Sequence, residues 1–76
     1  MPRLPVLSGQ EVVRVFEALG WEVARQRSTH IVMVKERERA SLSVPDHDEV
    51  SKGVLRKLIR LAELTVEDFV EALADL

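Results

Sequence analysis

The segment RQRSTHIVM, residues 25–33, places a histidine after two arginines and two hydroxyl residues. Imidazole, with an ordinary pKa of about 6.5, is the side chain best suited to moving protons near neutral pH. Arginine side chains bind phosphate oxygens through parallel N–H donors. His30, Arg25 and Arg27 are therefore candidates for proton transfer at a bound phosphate. The alternative is that His30 is a surface residue at the start of a strand.

The second histidine, His47, lies in the loop VPDHDEV. It is a second candidate for proton transfer, although a histidine beside Pro45 can also simply fix the loop. Asp46 and Asp48 could suggest a metal site. However, adjacent residues of an extended loop point in different directions, and no second cluster completes a coordination shell. We therefore predict no bound metal and expect these acids to help cap the following helix.

Residues 51–60 carry four basic side chains and no acidic one, so no pairing between neighbouring helix turns relieves their repulsion. Lys52, Arg56 and Arg60 recur every four residues and follow one outer face of a helix. Basic side chains near a helix N-terminus suit a phosphate. We predict that Lys52 and Arg56 hold phosphate. For Arg60, which lies farther from the N-terminus, an ordinary solvated helix face is an equal alternative.

The chain has 76 residues and a net charge of −2, which predicts one domain spanning residues 1–76. Cysteine is absent, so disulfides and thiolate chemistry are excluded. An acidic total does not favour a nucleic-acid partner, but the charge is segregated, since residues 61–76 contain five acids and no base. No apolar run approaches the roughly 18 residues of a membrane span. We expect a cytoplasmic protein without membrane association.

Three segments have helical periodicity, namely residues 7–20, 51–62 and 64–76. The first and last begin with the spacing of a capping box, Ser8 with Glu11 and Thr65 with Asp68. Gly20 is placed to end the first helix in the left-handed conformation. In the middle helix, the apolar residues predicted to face inward are Val54, Leu55, Leu58, Leu61 and Ala62.

The region between the first two helices predicts three strands, WEVARQ (21–26), HIVMVKE (30–36) and RASLSV (39–44), with a turn near residues 36–38. Trp21 is expected in the core and not as a platform for base stacking. The element order predicts an α+β fold, α-β-β-β-α with a short C-terminal helix. A three-stranded antiparallel sheet packed on one face by helices would leave its other face open for binding.

Four stretches between residue 7 and about residue 73 resemble the HicA-type (YcfA-like) mRNA interferase toxins of bacterial toxin–antitoxin systems. They are Gly20–Trp21, Ser28–Thr29–His30, Val44–Pro45–Asp46–His47 and Gly53–Val54–Leu55–Arg56. Each stretch is common by itself, but all four in this order within so short a chain are specific.

This resemblance implies a double-stranded-RNA-binding-domain-like fold and a metal-independent endoribonuclease that cuts mRNA, with no cofactor. The family's catalytic histidine corresponds to His30, and Ser28 and Thr29 would shape the turn before it. The implied partner is a HicB-type antitoxin that covers the active site. RNA cleavage needs a base for the 2′-hydroxyl, an acid for the leaving oxygen and positive charge for the phosphorane, which agrees with the residues around His30.

The chain departs from the family pattern at Arg27, where the motif usually begins with glycine. Arginine disfavours positive φ, so the turn before His30 is expected to change, or Arg27 adds a phosphate contact instead. The alternative function is a non-catalytic RNA-binding module of the same fold. A weaker alternative is a protein-interaction domain whose acidic C-terminal segment docks a partner.

Overall fold

The computed structural model describes residues 3–76 and contains three helices and one sheet. The elements are α1 (Gly9–Ala18), β1 (Glu22–Arg27), β2 (His30–Val34), β3 (Leu42–Pro45), α2 (Lys52–Leu61) and α3 (Val66–Ala74). The strands form an antiparallel sheet in the order β1-β2-β3, which confirms the predicted α+β fold. None of the helices in the described part of the chain is long and apolar enough to span a membrane.

Both predicted capping boxes are present. The Ser8 hydroxyl accepts the Glu11 amide at 3.2 Å, and the Glu11 carboxylate accepts the Ser8 amide at 2.9 Å. Thr65 and Asp68 exchange the same two bonds at the start of α3, at 3.0 and 2.9 Å. These bonds satisfy amides that the first turn of a helix leaves without partners. Gly20 follows α1 with φ +98°, as its position predicted.

The capping box makes part of the stability dependent on pH. Hydrogen bonds from the Ser8 backbone and then from its side chain lower the pKa of Glu11 below its ordinary value of 4.5, and the Arg14 charge assists. Because the folded pKa is the lower one, this stabilisation is complete above about pH 4.5 and is lost as pH falls through the folded pKa. We expect Glu11→Gln to lose less stability than the wild type between about pH 7 and pH 3, measured by urea unfolding. Equal losses in both proteins would contradict this.

The core lies between the helices and one face of the sheet. Ile31 and Met33 of β2 and Leu42 and Val44 of β3 are buried on that face. The buried aromatic side chains are Phe16, Trp21 and Phe69. The Trp21 ring meets the Phe16 ring edge-on, with centroids 6.5 Å apart and an interplanar angle of 73°. The prediction that Trp21 belongs to the core is confirmed.

Helix α2 buries a different set of residues from the one predicted. Val54 and Leu61 are 37% and 41% exposed, whereas Ile59 is buried. The reason is the position of the helix beside the edge strand β3. Val54 and Leu61 lie on the flank that faces Ser41 and Ser43, where no further element of residues 3–76 covers them. The buried residues of this segment are Leu55, Leu58, Ile59 and Ala62.

The turn between β2 and β3 falls where it was predicted, at Glu36 and Arg37. The Glu38 amide donates to the Lys35 carbonyl at 3.0 Å, and Arg37 takes φ +72°. The third strand begins only at Leu42, three residues later than the sequence predicted.

Candidate nucleic-acid interface

The sheet has one face without helices, and β2 shows which residues point there. Ile31 and Met33 are buried against the helices. Because successive side chains of a strand alternate between faces, His30, Val32 and Val34 point to the other side. His30 and Val34 are exposed, and Val32 is half-buried.

Strand pairing adds both arginines to this side. His30 is paired directly with Arg27 of β1, and Val32 with Arg25. Directly paired residues of antiparallel strands point to the same face. On the β3 side, His30 pairs with Pro45. We call this surface the open face; it comprises Glu22, Arg25, Arg27, His30, Val32, Val34, Ser43 and Pro45.

A β-bulge in β1 makes this arrangement possible. Val23 pairs with Met33, but the next paired residue is Arg25, so Ala24 is an extra residue without its own partner. Bulges of this kind redirect the side chains that follow them. If β1 kept Ala24 as an ordinary paired residue, strict alternation would place Arg25 and Arg27 on the same side as Val23, toward the helices.

The turn before His30 contains one residue with positive φ. Arg27 remains in β1, whereas Ser28 takes φ +54°. Arg27 itself therefore does not need the conformation that arginine disfavours. Ser28 and Thr29 form the two-residue connection to β2.

Substituting Ser28 with glycine should stabilise the protein. A left-handed conformation costs a residue with a Cβ about 1–2 kcal/mol, and glycine is nearly free of that cost. After the extra chain entropy of glycine, we expect a net gain of about 1 kcal/mol, or a melting temperature about 4–8 °C higher. The matched control is Ser43→Gly, an exposed strand serine without positive φ, which should be destabilised. Thermal unfolding that finds Ser28→Gly no more stable than the wild type would refute this.

The His30 ring is exposed and has one side-chain contact. Its Nδ1 lies 3.4 Å from the Thr29 hydroxyl, a long hydrogen bond in which either group can donate according to the imidazole tautomer. Since this contact engages Nδ1, Nε2 is the nitrogen available to a substrate on the open face.

Asp46 does not cap α2, contrary to the expectation for the acids of this loop. The cap is Ser51, whose hydroxyl accepts the Val54 amide at 3.3 Å. The Asp46 carboxylate instead accepts the side-chain amides of Gln10 at 3.1 Å and Gln26 at 3.0 Å. Nowhere in residues 3–76 are three His, Asp or Glu side chains grouped so that they could hold a metal ion.

The loop after β3 brings His47 to the same end of the sheet as His30. Pro45 is the partner of His30 in the sheet, and His47 follows two residues later. The His47 carbonyl accepts the Gly9 amide at 2.9 Å, while its side chain is exposed. The backbone of this residue therefore fixes the loop, and its ring is left accessible.

The two predicted phosphate-binding residues of α2 differ in position. Lys52 opens the helix directly after the loop and is exposed. Arg56 lies with Arg60 on the flank facing α3, beside Leu64 and Val66. The structure thus places Lys52 at the end of the loop that follows β3, but Arg56 on the side of α2 that faces α3.

A model of the HicA toxin of bacterial toxin–antitoxin systems matches residues 9–64, most of the chain. The chain belongs to the HicA toxin family. The match runs from the first residue of α1 to the connection after α2, so it includes His30, His47 and Lys52. No curated protein and no solved structure is significantly similar to the chain. Membership in this family implies a partner of the antitoxin kind.

In this HicA-family chain, Lys57 is a basic residue near the open face that the sequence did not single out. It lines a groove of about 190 Å³ between β3 and α2, together with Ser41, Ser43, Val54 and Leu61. Ser43 belongs to the open face, so the groove continues it toward α2. Lys57 was not singled out because it is the one base of residues 51–60 outside the four-residue spacing of Lys52, Arg56 and Arg60.

Proposed function

We propose that this chain is the toxin of a type II toxin–antitoxin system and an endoribonuclease that cleaves mRNA on the open face without a metal ion. The observation that carries the proposal is the pairing of His30 with Arg27 on an exposed sheet face, with Arg25 on the same side. A proton-transfer group beside two cations suits a phosphodiester. Because mRNA is the substrate, the protein would act in the cytoplasm.

In this mechanism, Nε2 of His30 takes the proton of a ribose 2′-hydroxyl. The 2′-oxygen attacks the adjacent phosphorus, the bond from phosphorus to the 5′-oxygen breaks, and that oxygen gains a proton. The products are a cyclic 2′,3′-phosphate and a 5′-hydroxyl. His47 is the candidate donor of the second proton. Arg25 and Arg27 stabilise the negative charge that develops on the phosphorane oxygens.

The RNA would follow the exposed cations of the open face and of α2. Lys52 at the start of α2 and Lys57 in the groove would hold phosphates on either side of the cleaved bond. Arg56 is placed to contact only RNA that extends around α2 toward α3. The antitoxin in this proposal is a HicB-type protein that covers the open face and so excludes RNA.

Expression in bacterial cells tests the proposal. The wild-type chain should arrest growth and shorten full-length mRNAs, and co-expression of the antitoxin encoded beside it should restore both. Intact mRNA in growth-arrested cells would contradict cleavage.

The second candidate function is a non-catalytic RNA-binding module with the same fold. The observation that favours it is that the exposed cations of the open face bind phosphate whether or not a proton moves. Purified protein in EDTA separates the two functions. RNA affinity that falls steeply with salt, without shortening of the RNA, would establish the binding module.

Lys57 should contribute more to RNA binding than Arg60, although both are exposed bases of the same helix. Lys57 faces the groove beside β3, whereas Arg60 faces α3. Log affinity falls as log salt rises, and we expect Lys57→Ala to make this slope less steep by about 1, as for one lost phosphate contact. Arg60→Ala is the matched control. Equal slopes for the two variants would refute the proposed path of the RNA.

A further inference from the structure

Asp46 joins three parts of the chain that are far apart in sequence. Its carboxylate accepts amide hydrogen bonds from Gln10 in α1 and Gln26 in β1, and its own backbone amide donates to the Thr29 carbonyl at 2.7 Å. The residue is half-buried, whereas both glutamines are exposed. It therefore ties the start of α1 to the turn that precedes His30.

The turn needs this support because packing does not supply it. Every residue of β1 is exposed, so no buried side chain anchors the outer strand of the β1–β2 hairpin. The turn also contains Ser28 at φ +54°, a conformation that serine leaves readily when it is not held. The Gln26 side-chain amide, which donates to Asp46, also lies 3.5 Å from the Ser28 carbonyl oxygen. Asp46 thus holds the turn both directly and through Gln26.

The start of α1, which Gln10 joins to Asp46, packs closely against the loop after β3. The backbone of α1 approaches the loop so closely that a Cβ on Gly9 would overlap the Pro45 carbonyl oxygen, and the Gly9 amide donates to the His47 carbonyl at 2.9 Å. Gln10, the next residue, reaches Asp46 from the first turn of a capped helix. The position of the turn therefore depends on contacts with α1 as well as on pairing within the sheet.

We propose that Asp46 is a positioning residue for His30. The inference rests on the proposed function and adds to it a residue that touches no substrate. The Asp46 carboxylate fixes the Gln26 side chain beside the Ser28 carbonyl, and the turn held in this way carries the Thr29 hydroxyl that contacts His30 Nδ1, which leaves Nε2 toward the open face. The bond from the backbone amide of residue 46 to the Thr29 carbonyl is retained in every variant at this position. Misplacement of a reacting group by about 1 Å costs up to about 100-fold in rate.

Kinetics of three variants test the proposal, with Asp48→Ala as the matched control because Asp48 is an exposed acid of the same loop. Asp46→Ala should lower kcat about 10–100-fold with KM nearly unchanged, since the cations that hold RNA remain. Asp46→Asn should recover part of the rate, because its carbonyl oxygen still accepts one amide. Asp48→Ala should cleave as the wild type does. Equal kcat values for Asp46→Ala and Asp48→Ala would overturn the proposal.

A second measurement keeps this inference separate from the proposed nuclease activity and from loss of folding. NMR spectra of the folded proteins should show shifted Thr29 backbone signals and altered His30 ring signals in Asp46→Ala, but not in Asp48→Ala. Gln26→Ala, which removes one contact, should show a smaller change of the same kind. If the wild type does not cleave RNA, the proposed function fails and the spectra alone decide the positioning role. Unchanged His30 and Thr29 signals in Asp46→Ala would overturn it.

Discussion

Replacing His30 with alanine is expected to slow RNA cleavage by about 10²–10⁴-fold, the contribution typical of a positioned general acid or base. The loss should appear in the rate of the chemical step, because the proposed phosphate-binding residues Arg25, Arg27 and Lys52 are unchanged. The fold should be unaffected, since the His30 side chain is exposed and makes one long contact with Thr29. Single-turnover cleavage in EDTA measures the rate, and thermal unfolding measures the fold.

The same experiment on His47→Ala separates the roles of the two histidines. The His47 carbonyl, which alanine retains, is the group that holds Gly9, so this substitution tests the ring alone. A loss smaller than that of His30→Ala assigns His47 to the protonation of the leaving oxygen. No loss leaves it a loop residue. If His30→Ala itself cleaves at the wild-type rate, His30 is only the first residue of a strand.

Gly9→Ala is expected to lower the free energy of unfolding by about 3 kcal/mol, because a Cβ there meets backbone and not a side chain that can move. It would overlap the Pro45 carbonyl oxygen and come within 2.9 Å of the Asp46 Cα. Relief of that overlap also strains the hydrogen bond from the Gly9 amide to His47. For a domain of this size the melting temperature should fall by about 12–24 °C.

Gly53→Ala is the matched control, since it makes the same chemical change in another helix. A Cβ at Gly53 meets nothing within 4 Å, and alanine is favoured over glycine inside a helix by about 0.5–1 kcal/mol. This variant should therefore be more stable than the wild type. Thermal unfolding that finds Gly9→Ala as stable as Gly53→Ala would show that the loop moves aside freely.

Local features of the fold could be predicted from the sequence because their causes lie within a few residues. The two capping boxes join residues three apart, and Gly20 follows the last turn of α1 directly. The pairing of His30 with Arg27 was not predicted, because the first strand was expected to end at residue 26, one residue too early. The α2 interior was predicted less well, since its periodicity does not reveal that β3 is an edge strand.

The direction of the arginines could not be predicted, because it depends on pairing between strands. Strict alternation along residues 21–27 places Arg25 and Arg27 on the side of the buried Trp21. The bulge at Ala24 turns both arginines to the open face instead. It can be recognised only from the pairing register of β1 with β2. The role of Asp46 was missed for a similar reason, since its partners Gln10 and Gln26 lie 36 and 20 residues away. The assignment of His30 as the catalytic residue came from the family resemblance and is still a proposal.

The central claim is that His30 activates the 2′-hydroxyl of RNA without a metal ion. The most direct test is a time course of the wild-type protein in EDTA with one single-stranded RNA and its fully 2′-deoxy counterpart. We predict that the RNA is cut, whereas the deoxy strand binds, competes with the RNA and stays intact. Cleavage of both strands, or of neither, would contradict the claim.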